Sequence, residues 1–326
     1  MGNLLAPHRG RLAPSPTGYA HLGNAWAFLL AWLAARQNGG SVILRLEDID
    51  PQRSRAAFAE ALLDDLRWLG LDWDEGPDAG GACGPYVQSQ RGDLYAEALR
   101  RLESAGLTYP CFCTRRELRN LAGAPHIGDM GTPYPGTCRL LSADERAALI
   151  SAGRKASVRL RCTDAPVFFV DACLGPQKWS LTDCGGDFAL RRSDGVVAYQ
   201  LAVAVDDALM GVTQVVRGRD ILPSTPRQIA ILQALGHAPP SYAHIPLLLD
   251  AAGERLAKRH ASLALRELRS RGVRAEQVVG LLARLAGLNP GGETVRPREL
   301  IREFSLRRLP TADRRISPEL LRKLTC

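Results

Sequence analysis

Residues 9–46 set the strongest limit on what this chain can fold into. Arg9 to Ala13 reads as a short strand, and Pro14-Ser15-Pro16-Thr17-Gly18 stops any regular element from continuing. Asn24 is a good helix N-cap, and the apolar run after it predicts a helix to about Gln37. Ser41 to Leu46 then has the β-branched, apolar character of a buried strand. Two strands joined by a crossover helix pair in parallel, and two more amphipathic helices are expected at about 55–69 and 89–105. Strand, helix, strand, helix is the pattern of an α/β fold with a doubly wound parallel sheet of Rossmann type. Further short strands are expected at about 157–161, 167–171, 187–190 and 196–203. From 262 onward Ala, Leu, Arg and Glu predict helices, interrupted by Asn289-Pro290-Gly291-Gly292.

Several functional classes fall away early. The most apolar run, Ala25 to Ala35, carries two Trp and stops at Arg36, well short of the roughly 20 residues of a membrane span. Pro7, His8 and Arg9 occupy the place of a signal peptide's apolar segment, so a cytoplasmic protein is expected. The 8 cysteines are too few and too uneven for a secreted disulfide framework. The net charge of +8 is concentrated: from Arg255 onward 17 Lys and Arg face 7 acids. Such a segment suits either contact with a polyanion or solvated helix faces.

Four constellations can carry chemistry. His21-Leu22-Gly23-Asn24 stands between the turn and the first helix, where backbone N–H groups attract phosphate and an imidazole can donate to it. Glu47, Asp48 and Asp50 close the second strand at the carboxyl edge of the sheet, where such folds bind ligands. Tyr199, on an expected strand, and Arg217, after a Gly-containing turn, suit either a pocket or ordinary core with an ion pair. Cys111, Cys113 and Cys138 have a spacing suggestive of structural zinc, which takes four ligands. Tyr134, His126 and Cys162 are candidates for the fourth.

The run from Arg11 to Asn24 resembles the first signature of the class I aminoacyl-tRNA synthetases, usually written HIGH. Its Arg11-Leu12-Ala13-Pro14-Ser15-Pro16-Thr17-Gly18 lead is typical of the glutamyl branch. A second partial match, His126-Ile127-Gly128-Asp129, has neither a strand before it nor an amphipathic helix after it, and reads as loop. The second signature, KMSKS, is similar to Arg255-Leu256-Ala257-Lys258-Arg259, where the central Lys258 is kept while Arg and Ala replace the first Lys and the Ser.

The resemblance implies residue roles. His21 and Lys258 become catalytic, and His21, Gly23, Asn24 and Lys258 hold ATP, which comes with Mg²⁺. Arg11, Leu12, Ala13, Pro14, Ser15, Glu47, Tyr199 and Arg217 surround L-glutamate, Glu47 taking its amino group and the arginines its carboxylates. Cys111, Cys113, Tyr134 and Cys138 hold one structural Zn²⁺. The expected organisation is a first catalytic half (1–106), a zinc-containing insert and acceptor-binding region (107–186), a second catalytic half (187–260) and a basic helical C-terminal region (261–326).

The 68 residues after Lys258 are too few for a stem-contact region and an anticodon-binding domain. The resemblance, over about 9–286, therefore fits best with the glutamyl-queuosine tRNA(Asp) synthetase family, which resembles a truncated glutamyl enzyme. It implies ATP-dependent formation of glutamyl-adenylate and transfer to the queuosine base at the wobble position of tRNA(Asp), by a monomer without membrane contact. A truncated glutamyl-tRNA synthetase charging a 3′ end, a nucleotidyltransferase without a glutamate pocket, and a noncatalytic tRNA-binding paralogue are the competing expectations.

Overall fold

The first crossover is fixed by close packing. Strand β1 (Arg9–Leu12), helix α1 (Leu22–Gln37) and strand β2 (Ser41–Leu44) form a βαβ unit with β1 and β2 parallel, Arg9 opposite Ser41 and Leu12 opposite Leu44. A Cβ on Gly10 would lie 2.8 Å from the Cβ of Ala35, so only glycine lets α1 settle this close to β1. Helix α1 is buried through most of its length, including Trp26 and Trp32. Each indole N–H finds an acceptor there, Trp26 on Pro246 O at 2.7 Å and Trp32 on Asp72 O at 2.9 Å.

The computed structural model describes residues 7–114, 116–118, 134–256, 263–289 and 291–325. Lys258 and His126 lie outside these described residues. Helices α2 (Ala56–Trp68) and α3 (Gly92–Ser104) follow as expected. Next come β3 (Thr108–Cys111), α4 (Ala143–Ser151), β4 (Ser157–Leu160), β5 (Val167–Asp171), β6 (Gly175–Trp179) and β7 (Ala189–Arg191). The remainder is α5 (Tyr199–Leu209), β8 (Gln214–Gly218), α6 (Thr225–Ala234), β9 (Ser241–Ile245) and β10 (Leu248–Leu249), then α7 (Leu265–Ser270), α8 (Ala275–Leu285), α9 (Pro297–Leu300), β11 (Arg314–Arg315) and α10 (Pro318–Thr325).

The main layer is mixed rather than wholly parallel. Strands order as β6-β5-β9-β8, with β8 and β5 each parallel to β9 and the β5–β6 hairpin antiparallel at the edge. The β1–β2 pair extends this layer beside β8, where Arg9 N donates to Thr213 Oγ1 and Thr213 N to Arg9 O. A separate antiparallel sheet has the order β3-β4-β7. The C-terminal helices share one apolar cluster with α1 and α2: Val278, Leu281 and Leu282 of α8 pack with Leu29, Leu33 and Leu66.

The expected strand at 196–203 is a helix. Leu201 to Asp207 are all buried, so no period separates strand from helix there, and the element's length of 11 residues identifies α5. The N-cap of α1 is His21 rather than Asn24, as described below.

Asp206 of α5 makes a buried cross-link from a position with no exposure. It accepts from Arg91 Nε at 2.6 Å, Gln88 Nε2 at 2.8 Å and Tyr95 Oη at 2.9 Å, so α5 is anchored to the start of α3. Replacing Asp206 by Ala leaves the Arg91 guanidinium buried without its main partner. We expect a loss of about 3–5 kcal/mol of stability in chemical denaturation, against under about 1 kcal/mol for the exposed pair partner Glu97→Ala.

Candidate active site

The Pro-rich turn, the N-terminus of α1, the end of β2, the start of α5 and the end of β8 converge on one cavity of about 740 Å³. His21 caps α1 with its own ring: Nδ1 accepts from Gly23 N at 3.1 Å, while Asn24 Oδ1 accepts from His21 N at 3.1 Å. A Cβ on Gly23 would come within 3.0 Å of the imidazole, so this glycine is what allows the ring to lie back over the helix end. The cap also sets the tautomer. With Nδ1 accepting, a neutral ring carries its proton on Nε2.

Deeper in the cavity, charge is organised around Arg45, which has no exposure. Its Nη1 meets Asp207 Oδ1 at 2.7 Å, its Nη2 meets Glu47 Oε1 at 2.9 Å, and its Nε lies 3.7 Å from Asp206. Burial alone would depress the Arg45 guanidinium, but Asp207, Glu47 and Asp206 outweigh it and hold the pKa well above the ordinary value. Burial pushes Glu47 above the ordinary carboxylate value, with Arg45 and Arg11 pulling against it. Arg11 is held more loosely, Nη1 to Val216 O at 3.3 Å and Nε 3.5 Å from Asp207, and burial lowers its pKa. Arg217 is fixed by His244 Nε2 at 3.1 Å, Gln228 Oε1 at 2.8 Å and Thr225 Oγ1 at 2.7 Å. Tyr199 stands at the wall, partly exposed.

A second cluster lies at the end of β3. The thiols of Cys111, Cys113 and Cys138 lie within 4.8 Å of one another, with Cys113 Sγ 3.6 Å from Cys138 Sγ. The Tyr134 hydroxyl accepts from Cys138 N at 2.7 Å and bonds the Cys111 thiol, which brings a fourth candidate ligand atom, an oxygen, to the three sulfurs. Burial, then the neighbouring Cys111 and Cys138 thiols, push Cys113 up to about 12. Three packed thiols with a phenol oxygen beside them are a donor set that a soft divalent cation satisfies, so the residues present fit a metal.

The family model for the catalytic domain of class I tRNA synthetases (E and Q) matches residues 8–321. The chain is 61% identical over 303 residues to a glutamyl-Q tRNA(Asp) synthetase of Nitratidesulfovibrio vulgaris, covering 93% of this chain and 94% of that protein. The chain belongs to the class I tRNA synthetases, in the glutamyl-Q tRNA(Asp) synthetase family. It is 46% identical over 305 residues to glutamate–tRNA ligase 2 of Acidithiobacillus ferrooxidans, covering 93% of this chain and 63% of that one. Among solved structures, the glutamate-tRNA synthetase of Elizabethkingia anophelis superposes with a TM-score of 0.84 at 29% identity, over 98% of this chain and 70% of that one. The class I α/β synthetase fold, mixed in its sheet, is thereby established for this family member.

The structure gathers most of the residues singled out from sequence. Arg11, Ala13, Pro14, Ser15, His21, Gly23, Asn24, Glu47, Tyr199 and Arg217 all line the cavity. Leu12 does not: its side chain is in the core, and its carbonyl accepts from Arg45 N. Of the three acids after β2 only Glu47 turns inward. Asp48 receives Ser89 N and Oγ at 2.8 and 2.6 Å, and Asp50 lies 3.6 Å from Arg192. Cys162 is not part of the thiol cluster, since its Sγ points to Gly186 O at 3.4 Å. In the second signature, Arg255 lines the cavity and pairs with Asp220, while Ala257, Lys258 and Arg259 are outside the described residues. Sequence reasoning missed Arg45, Asp171, Asp207 and His244 as parts of the site. The signal available for Arg45 was a charge inside an otherwise apolar strand end.

Proposed function

We propose that the chain activates L-glutamate with ATP as glutamyl-adenylate and transfers the glutamyl group to the queuosine base at the wobble position of tRNA(Asp). The observation that carries the first half is the charge of the cavity. Among the charged side chains that line the cavity, Arg11, Arg53, Arg217 and Arg255 outnumber Glu47 and Asp220, which leaves positive charge in excess beside a helix N-terminus. Free glutamate carries one net negative charge and complements this excess, whereas glutamine carries none.

In this reading Arg11 and Arg217 receive the two carboxylates, Glu47 accepts the ammonium and Tyr199 closes the side of the pocket. Ala13, Pro14 and Ser15 supply backbone around the ligand. The α-carboxylate attacks the α-phosphorus of ATP, the P–O bond to the β-phosphate breaks, and pyrophosphate leaves. His21 donates its Nε2 proton in a hydrogen bond to the phosphate oxygens, Gly23 and Asn24 present the helix end to them, and Lys258 neutralises charge. Mg²⁺ enters with the nucleotide and offsets phosphate charge. A queuosine hydroxyl then attacks the anhydride carbonyl and AMP leaves. Each step proceeds without a protein nucleophile.

Support for the acceptor comes from identity, which is higher to the glutamyl-Q tRNA(Asp) synthetase of N. vulgaris than to the glutamate–tRNA ligase of A. ferrooxidans. The metal reading is zinc, one per chain, held by Cys111, Cys113, Cys138 and Tyr134 as a clip on the insert. When bound it would supply structural cross-linking, and none of these four residues lines the cavity.

Labelled glutamate and ATP offered with tRNA from queuosine-containing and queuosine-free cells test the whole scheme. Label is expected only in the first sample, and equal labelling of both would transfer the assignment to the 3′ end. His21→Ala is expected to lower glutamate-dependent pyrophosphate exchange about 10²–10³-fold, in a protein that still folds but loses about 1 kcal/mol of stability with its helix cap. Metal analysis is expected to find one zinc per chain, and Cys113→Ser to reduce both that stoichiometry and the melting temperature. Carefully purified wild-type protein without stoichiometric zinc would remove the clip.

A further inference from the structure

Arg217 is 4% exposed, and among the described residues three of its five N–H groups are committed to side chains on α6 and β9. Its Nε–H points at His244 Nε2 at 3.1 Å. An imidazole nitrogen can receive that hydrogen only if it carries none of its own. The opposite ring nitrogen decides the matter: His244 Nδ1 lies 2.6 Å from Asp171 Oδ2. Asp171 is 1% exposed and accepts besides from the backbone N–H of His244, Cys173 and Leu174, so it is a fully employed carboxylate with no proton to give. The Thr225 hydroxyl completes the arrangement, 3.0 Å from His244 Nε2 and 2.7 Å from Arg217 Nη2.

We propose that Asp171 and His244 are positioning residues that aim Arg217 and thereby set the preference for a carboxylate over an amide. Asp171 takes the Nδ1 proton of His244, Nε2 keeps its lone pair, and the Arg217 fork is held with its remaining N–H groups turned into the cavity. With the proton on Nε2 instead, two N–H groups would face each other across 3.1 Å and the guanidinium would rotate away. Arg217 is then a fixed bidentate donor rather than a point charge on a flexible stem, and a ligand offering one oxygen and one NH₂ cannot satisfy it. Burial, with Arg217 and Arg11 adding to it against Asp171, pushes the His244 pKa down to about 4, in keeping with a neutral ring. The inference rests on the reading that Arg217 receives the side-chain carboxylate of the substrate, the group by which glutamate differs from glutamine.

Asp171→Asn offers an amide N–H to Nδ1 and so moves the ring proton to Nε2 while keeping the side chain's shape. In glutamate-dependent pyrophosphate exchange we expect KM for glutamate to rise at least about tenfold, KM for ATP to stay within about twofold, and the preference for glutamate over glutamine to fall with it. A folded Asp171→Asn protein with unchanged KM for glutamate would overturn the proposal. His244→Gln, which can still present an oxygen to Arg217, is expected to keep KM closer to wild type than His244→Leu. Equal values for the two would count against it. Nitrogen NMR of histidine-labelled wild-type protein, with His244 assigned by its loss in His244→Gln, reads the tautomer whether or not Asp171→Asn folds. A proton on Nε2 overturns the relay. Wild-type protein without any glutamate-dependent exchange would instead sink the proposed function, and the NMR result would still decide the tautomer.

Discussion

A guanidinium with no access to water, that of Arg45, is the constraint around which the site is built. A buried cation is tolerable only when its hydrogens meet carboxylates in good geometry, and here three carboxylates come from two places in the chain: Glu47 beyond β2, and Asp206 and Asp207 on α5. Those contacts dictate that α5 pack against the end of β2. That packing brings Tyr199, at the first turn of the same helix, to the cavity that Glu47 also lines. Asp206 extends the lock to Arg91, Gln88 and Tyr95. The same buried network thus decides where the pocket's acid and its phenol stand.

At the other side of the cavity a single ring does two jobs. The imidazole of His21 satisfies an orphan N–H of α1, and by doing so puts its own proton on the nitrogen that is not engaged in the cap. Ser or Asp would cap the helix as well but would not present an aromatic N–H donor in the process. The glycine two positions on is required by this geometry before any ligand is considered, because a side chain there would meet the ring.

Much of the fold and the rim of the site was legible in the sequence because both rest on local signals. The break at Pro14–Gly18, the apolar length of α1 and the β-branched Ser41–Leu44 run each have one reading. Tyr199 was placed in the site while its element was misread, since a stretch buried on every side has no period to distinguish strand from helix. The capping residue was misassigned because Asn24 is the stronger N-cap type, yet it serves as the return partner of the box. Asp171 and His244 had no local signature at all. They lie 73 residues apart, and only the parallel pairing of β5 with β9 brings them together. Arg11 to Ser15 are expected as one binding stretch, but alternation along β1 sends Leu12 into the core while Arg11 lines the cavity.

The excess positive charge of the cavity ties stability to function. Arg217 is held by neutral groups, His244, Thr225 and Gln228, and Arg11 has only a carbonyl and a carboxylate at 3.5 Å. Among the described residues neither arginine has a carboxylate at hydrogen-bond distance of the kind that holds Arg45, so the burial of both cations is only partly compensated. Such an arrangement costs stability in the free protein and is relieved by a ligand that supplies negative charge. In the proposed reading the relief comes in two instalments, first from the carboxylates of the amino acid and then from the phosphate undergoing attack. Ground-state binding and transition-state stabilisation would therefore draw on the same uncompensated field, and the neutral partners of Arg217 are what keep that field from being cancelled by the protein itself.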